Sequence, residues 1–338
     1  MRYRVALMLS VLLAWPSWLS AAELVVFGDS LSDTGNVFAA STSDPSLQSD
    51  PPSPPYFQGR MSNGPVWAEH LADRLGAERP AANLNGGLNF AYAGATTDFG
   101  FRRHLSLAVP GQTQGIANVG QQIEDFLAVH QRFTPDQLVV LWAGANDLLQ
   151  ASLARPADSA SVVTRGIGNL QQHLRTLEAH DARRVLVPNQ IDASDTPLWK
   201  GFGPPLPEGS RELLADFTGS FNARLETMLD DLAADPAFSA ELLRSDMFGL
   251  FKSIFENPSQ FEFTNVDEAA FVPGLGQISD ASGYLFWDPI HPTTAGHLAI
   301  AEVAEVAVVP VPATLPLFAT GLMALAFAKR RRRQAKAA

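Results

Sequence analysis

The sequence predicts an α/β protein built on a parallel sheet with helices on both faces. Three observations carry that expectation. Short continuous apolar runs at Leu24 to Phe27 (LVVF), Gln137 to Ala143 (QLVVLWA) and Arg184 to Pro188 (RVLVP) have the character of strands buried on both faces. Amphipathic helical stretches separate them, so strand and helix alternate with no repeat and no internal linker. The first two runs lead directly into clusters of small polar residues, at the carboxyl edge where open α/β sheets place their chemistry.

A chain of 338 residues with 46% hydrophobic content can fill one large α/β domain or two small ones. It has no cysteine, which excludes a disulfide framework, a thiol nucleophile and a thiolate metal site. The formal charge is −11, but the basic residues are unevenly placed. Two precede the first acid, Glu23, and six follow the last, Glu305, so 16 of the 24 Lys and Arg face all 35 Asp and Glu in the body between. That body repels nucleic acid.

Gly28 ends the first strand, and Asp29, Ser30, Ser32 and Asp33 follow at once. Ser30 is the candidate nucleophile, with an ordinary helix cap as the bland alternative. Asp44 to Pro55, rich in Ser, Asp and Pro, is expected to be a surface loop. Pro65 suits the first turn of a helix carrying Val66, Trp67, His70, Leu71 and Leu75, with Asn63 or Ser62 as its cap and Trp67 in the core. Leu84 to Thr97 (LNGGLNFAYAGATT) is a glycine-punctuated segment that lets backbone approach closely. Ile116 to Phe133 has helical spacing, with His130 structural. The next strand runs into Gly144-Ala145-Asn146-Asp147. Ser161 to His180 is a helix that leaves His173 and His180 solvated. Pro197 to Pro207 is irregular, and Leu213 to Leu232 is helical. Met247 to Phe255 (MFGLFKSIF) is helical in part, a core stripe rather than an acyl-binding lid. Thr294 to Val306 is the last helix, with His297 exposed or capping.

A serine hydroxyl becomes a nucleophile only when a base takes its proton and a third group orients that base. Of the seven histidines, one sits in a stretch with that grammar: Trp287-Asp288-Pro289-Ile290-His291-Pro292. The two prolines stiffen the loop and deny helix to the residues before them. Asp288 can then face Nδ1 of His291 while Nε2 points to Ser30. Acyl transfer also needs donors aimed at the developing oxyanion. The backbone N–H groups of Ser30 and Gly94 and the side-chain amide of Asn146 can supply them, unless Asn146 only caps the helix that follows.

The segments FGDSLSDTGN, NFAYAGATT, GANDLL and WDPIHPTTAGH resemble the four ordered blocks of the GDSL or SGNH hydrolase family, and GRMSNGPVWAEHLA is similar to members of its lipase and acylhydrolase branch. Together they span Leu24 to about Val306. The resemblance implies a three-layer α/β/α sandwich on a parallel flavodoxin-like sheet and a serine esterase with no required cofactor. It also implies Ser30 as nucleophile and oxyanion donor, Gly94 and Asn146 as the other donors, His291 as base and Asp288 as its orienting group. No GxSxG elbow or HExxH helix is present, which argues against an α/β-hydrolase and a zincin. An acyltransferase using the same residues and a surface-anchored binding protein with a vestigial site are the alternatives.

The termini suggest export. Met1 to Ala22 has Arg2 and Arg4, an apolar run from Val5 to Trp15, a break at Pro16 and small residues Ser20 and Ala22, which reads as a signal peptide, or else an uncleaved anchor. VPVPATLP, an apolar stretch to Ala328 and a KRRRR cluster resemble the C-terminal sorting signals of the PEP-CTERM and VPLPA type, with valine where glutamate or leucine is usual. A plain membrane anchor is the alternative. The expected organisation is therefore a signal peptide at 1–22, a hydrolase domain at 23–306 and a sorting segment with a basic tail at 307–338. The expected partners are an ester substrate, an exosortase-like peptidase and, before processing, the membrane. The expected location is periplasmic, cell-surface or secreted.

Overall fold

In the computed structural model, which describes residues 23–309 apart from 107, 110, 155–158, 275 and 278–279, the chain opens with β1 (Leu24–Gly28). Next come α1 (Asn36–Ser43), α2 (Trp67–Leu75), a hairpin of β2 (Phe101–Leu105) and β3 (Thr113–Ala117), and α3 (Val119–His130). The middle of the chain is β4 (Leu138–Trp142), α4 (Ala145–Ala154), α5 (Ser159–Ala179), β5 (Arg184–Pro188), α6 (Ser210–Ala234), β6 (Glu241–Ser245) and α7 (Met247–Glu256). Four short strands, β7 (Asn265–Ala269), β8 (Phe271–Val272), β9 (Gly276–Gln277) and β10 (Tyr284–Phe286), lead to α8 (Thr294–Val308).

The central sheet runs β1-β4-β5-β6, all parallel. Residues 88–92 lie along the free edge of β1. The Val26 N–H donates to the Leu88 carbonyl (3.0 Å), the Phe90 N–H to the Val26 carbonyl (2.7 Å) and the Tyr92 N–H to the Gly28 carbonyl (3.2 Å). Counted with this edge segment the strand order is 2-1-3-4-5, the flavodoxin-like order, whose switch point lies between the first and third strands.

Side chains alternate across the sheet as strand geometry requires. Val25, Phe27, Val139, Leu141, Val185 and Val187 pack on one face, under α3, α5 and α6. Leu24, Val26, Leu138, Val140, Trp142 and Leu186 pack on the other, under α2, α7 and α8. The result is the expected three-layer α/β/α sandwich. The aromatic stripe of α7 is core, with Met247, Leu250, Phe251 and Ile254 buried.

Several local expectations are corrected. The run from Ile116 is not one helix, because Ile116 and Ala117 pair with β2 as part of β3 and the helix begins only at Val119. α2 is not capped by Asn63 or Ser62. The Glu69 carboxylate accepts the Val66 N–H (2.9 Å), while Asn63 accepts the Thr294 N–H (2.8 Å) and Ser62 donates to the Pro292 carbonyl (2.9 Å). His173 is buried, with Nε2 2.7 Å from the Thr97 carbonyl oxygen. His297 is fully buried on α8 with neither ring nitrogen hydrogen-bonded, and burial pushes it down to about 3. His130 is exposed and stacks on Phe126. The loop from Asp44 carries one fully buried carboxyl, Asp50, bonded by Ser106 and Gln114. The expected signal peptide, and the expected sorting segment beyond Val309, lie outside the described residues, while Ala307 and Val308, expected to open that segment, belong to α8. Among the described residues no helix is long and apolar enough to cross a membrane.

Phe27 is fully buried in β1, with the rings of Phe90, Phe126 and Phe133 5.7, 5.9 and 6.4 Å away. Phe27→Ala is expected to lower the unfolding free energy by about 3–5 kcal/mol, measured by urea denaturation.

Candidate active site

The first strand delivers Ser30. β1 stops at Gly28, where a Cβ would come 2.5 Å from the Trp142 carbonyl oxygen of the neighbouring strand, so only glycine lets the two strand ends lie this close. The Gln122 side chain clasps this residue from α3, accepting the Gly28 N–H and donating to its carbonyl, both at 2.9 Å. The chain then turns tightly, with the N–H groups of Ser32 and Asp33 both bonded to the Asp29 carbonyl at 3.0 Å. Ser30 stands half-buried on that turn.

The Gly94 loop is fastened to the same turn. Asp33 accepts the N–H groups of Gly35, Asn36 and Ala93 at 2.7, 2.6 and 3.0 Å. Asn36 donates to the carbonyls of Asn89 and Ala91, and Asn89 donates to the Ser32 carbonyl at 2.6 Å. Gly94 has φ +83°, and a Cβ there would lie 2.1 Å from His104 Nδ1, so a side chain is excluded by both backbone and packing. Arg102 donates to the Gly94 carbonyl at 3.1 Å. From the neighbouring strand end, Asn146 in the first turn of α4 donates to the Ala95 carbonyl (3.0 Å), and Asp147 accepts the N–H and hydroxyl of Thr97. Asn146 therefore ties two loops together rather than capping its helix.

The far end of the chain supplies the imidazole. His291 Nδ1 lies 2.8 and 3.0 Å from the two oxygens of Asp288, and the N–H groups of Ile290 and His291 bond to Asp288 Oδ1. Burial opposes the charge on Asp288, but the adjacent His291 and these hydrogen bonds outweigh it and hold the carboxyl below its usual range. Ser30, Gly94, Asn146 and His291 line one cleft, partly open to solvent. In this structure no hydrogen bond joins the Ser30 hydroxyl to His291. Such contacts often form only when substrate tightens a site.

Burial also drives the other charges at and beside the cleft. It raises Asp29 to about 7, against the Leu31 N–H and His291, with Asp147 adding to the rise. It raises Asp147 to about 6 against the two Thr97 bonds, and lowers His104 to about 4. Among the described residues no cluster of His, Cys, Asp and Glu could hold a metal ion.

Residues 24–304 match the family described as GDSL-like lipase/acylhydrolase. The chain belongs to this family. As a GDSL enzyme it is a carboxylic ester hydrolase. It is 28% identical over 327 residues to the phosphatidylcholine-sterol acyltransferase of Aeromonas hydrophila, covering 84% of this chain and 89% of that protein. It is 25% identical over 323 residues to a GDSL esterase/lipase of Arabidopsis thaliana, covering 83% and 86%. Among solved structures, an acetylxylan esterase from Geobacillus stearothermophilus aligns with TM-score 0.41 at 11% identity, covering 83% of this chain and 91% of that one.

The five candidate residues singled out in the sequence come together in the fold: four line the cleft, and Asp288 stands behind His291. The residues that support them were not singled out in the sequence. Gln122, Asn36, Asn89, Tyr56 and His104 act across the fold, and only the glycine-punctuated segment Leu84 to Thr97 offered a local signal.

Asp29 generates a pH prediction. Its folded pKa is raised from 3.8 to about 7, so the folded chain keeps a proton that the unfolded chain has released. Stability from this group is complete below about 4 and lost as pH rises through 7. Asp29→Asn keeps the acceptor for Leu31 and never charges. Its urea midpoint should match wild type at pH 4 and exceed it at pH 8, and a wild-type advantage at pH 8 contradicts the assignment.

Proposed function

We propose that the chain is an exported serine esterase that cleaves esters of apolar acyl groups through an acyl-serine intermediate. The observation that carries this reading is the opening of Ser30, His291, Gly94 and Asn146 onto a single cleft, with Asp288 braced behind the imidazole. Asp288 fixes the Nδ1–H tautomer, which leaves Nε2 to take the Ser30 proton. The alkoxide attacks the acyl carbon, and the oxyanion forms between the N–H groups of Ser30 and Gly94 and the second Nδ2 hydrogen of Asn146, the first being spent on Ala95. His291 then protonates the departing alcohol. Water, activated by the same imidazole, adds to the acyl-serine and releases the acid.

The cleft walls set the acyl specificity. Leu31, Met61, Leu149, Ile191, Phe251 and Phe286 line it, while the titratable side chains on its surface are Asp29, His104 and His291. Such walls suit a hydrocarbon chain better than a charged headgroup or a sugar. Transfer of the acyl group to an alcohol is a second reading, favoured by the relative in Aeromonas hydrophila that bears an acyltransferase name. Export is supported by the pattern of Met1 to Ala22, and anchoring or sorting by the tail from Val309.

Ser30→Ala should lower p-nitrophenyl ester turnover by at least about 10⁴-fold with an unchanged circular dichroism spectrum. Undiminished turnover by the purified variant rejects the assignment. In a chain-length series the octanoyl ester should exceed the acetyl ester in kcat/KM by at least about tenfold. A preference for acetate rejects the apolar acyl pocket, and product analysis with added alcohol decides between water and alcohol as acceptor.

A further inference from the structure

Asp288 is held on both oxygens, and one of its partners comes from a distant part of the chain. Oδ1 accepts the N–H groups of Ile290 and His291 at 2.9 and 2.8 Å. Oδ2 accepts the Tyr56 hydroxyl at 2.7 Å and lies 2.8 Å from His291 Nδ1. The backbone donors belong to the histidine loop itself. Tyr56 does not, and 232 residues separate it from Asp288.

We propose that Tyr56 is a positioning residue of the reaction, a fixed hydroxyl donor that sets the rotation and charge of the Asp288 carboxylate against His291. This rests on the roles read above for Ser30, Asp288 and His291. The surroundings leave the phenol one task. Its ring is buried, edge-on to Phe271 at 5.6 Å and to Trp287 at 6.2 Å. The segment carrying it is pinned beside the histidine loop, because the Tyr56 N–H bonds the Pro52 carbonyl, the Phe57 N–H bonds the Ser62 carbonyl and the Ser62 hydroxyl bonds the Pro292 carbonyl. The ring is therefore fixed before the hydroxyl makes its bond.

Burial, then Asp288 and Asp50, push the phenol well above its ordinary range, so it donates across the whole working pH. A donor on Oδ2 does two things. It stops the carboxylate from turning its second oxygen away from Nδ1, and it draws off charge that would otherwise hold a proton on the imidazole. Without it the imidazolium is favoured, and the base form needed to activate Ser30 appears only at higher pH. The charges that reach this pair come from Asp29 on the serine turn, His104 on β2 and His297 on α8, besides Asp50 facing the phenol. Removing one hydroxyl leaves all of them in place.

Tyr56→Phe deletes the hydroxyl and keeps the ring. With p-nitrophenyl octanoate we expect kcat to fall about tenfold, as for loss of a hydrogen bond to a charged group, with KM within twofold. The acid limb of the kcat/KM profile should move to higher pH. In the Asp288→Asn background the same change should cost less than twofold, because its target charge is gone. A purely structural tyrosine predicts otherwise: a lower thermal midpoint with kcat and the acid limb unchanged, or an equal loss in both backgrounds. Either result overturns the proposal. Labelling of wild type by a fluorophosphonate, and its loss in Ser30→Ala, separates that outcome from failure of the serine mechanism itself.

Discussion

The carboxyl of Asp33 is the constraint on which the site's geometry depends. The turn after β1 and the edge segment 88–93 have no helix or long strand to hold them together. They are joined by a buried polar cluster: Asp33 bonded to the N–H groups of Gly35, Asn36 and Ala93, Asn36 bonded to Asn89 and Ala91, and Asn89 bonded to Ser32. Burial pushes the Asp33 carboxyl up while these N–H groups pull it down, and burial prevails. The energetic weight of such a cluster comes from what its removal leaves behind. Each buried N–H deprived of its acceptor costs about 1–3 kcal/mol. A fully satisfied cluster therefore fixes one arrangement, in which Ser30 and Gly94 face the same space.

The second constraint works from the opposite end of the chain. The histidine loop is closed on itself by the Trp287 N–H bond to the His291 carbonyl and the Thr293 N–H bond to the Leu285 carbonyl. It is then fastened to the segment 62–70. Ser62 bonds Pro292, Asn63 bonds the Thr294 N–H, and His70 Nε2 lies 2.9 Å from the Thr294 hydroxyl. Glycine at position 64 belongs to the same joint, since a Cβ there would sit 2.7 Å from the Thr294 Cβ. The stretch GRMSNGPVWAEHLA is thus a socket for the loop that carries the imidazole, with Ser62 and Asn63 serving that loop and the start of α8 rather than the helix they precede.

That reassignment shows what a sequence can and cannot disclose. Strands β1, β4 and β5 were legible because both their faces are buried, which writes a continuous apolar run into the chain. β6 (ELLRS) was not, being at the sheet edge with an exposed first residue, and β2 (FRRHL) was not, since its alternation sets Phe101 and Leu105 outward and Arg102 and His104 inward. The catalytic candidates were legible because chemistry demands particular residue types at strand ends. Their supports were hidden, because Gln122, Asn89 and Tyr56 look like ordinary helix, turn and loop residues until a partner far along the chain is known. The same blindness misjudged His173 and His297, whose burial depends on the loop at Thr97 and on the helix packing around α8.

His297 shows what that burial does to charge. Its imidazole is fully buried with neither nitrogen bonded, and burial, then the charges of His70 and His291, hold it neutral. A neutral ring leaves one buried N–H without an acceptor, at about 1–3 kcal/mol, whereas a charged one would bury a whole charge with no compensating partner. His104, held down to about 4 chiefly by burial, behaves likewise at the cleft. Two of the histidines whose charge reaches His291 are thereby kept uncharged near neutrality, and Asp29 is itself raised to about 7. Asp288 is the carboxylate there that hydrogen bonding and His291 keep ionised, while Asp29 is only partly ionised near neutrality. The burial that positions the site also takes the competing charges of His104 and His297 from it, which leaves Asp288 as the carboxylate in direct contact with the candidate base.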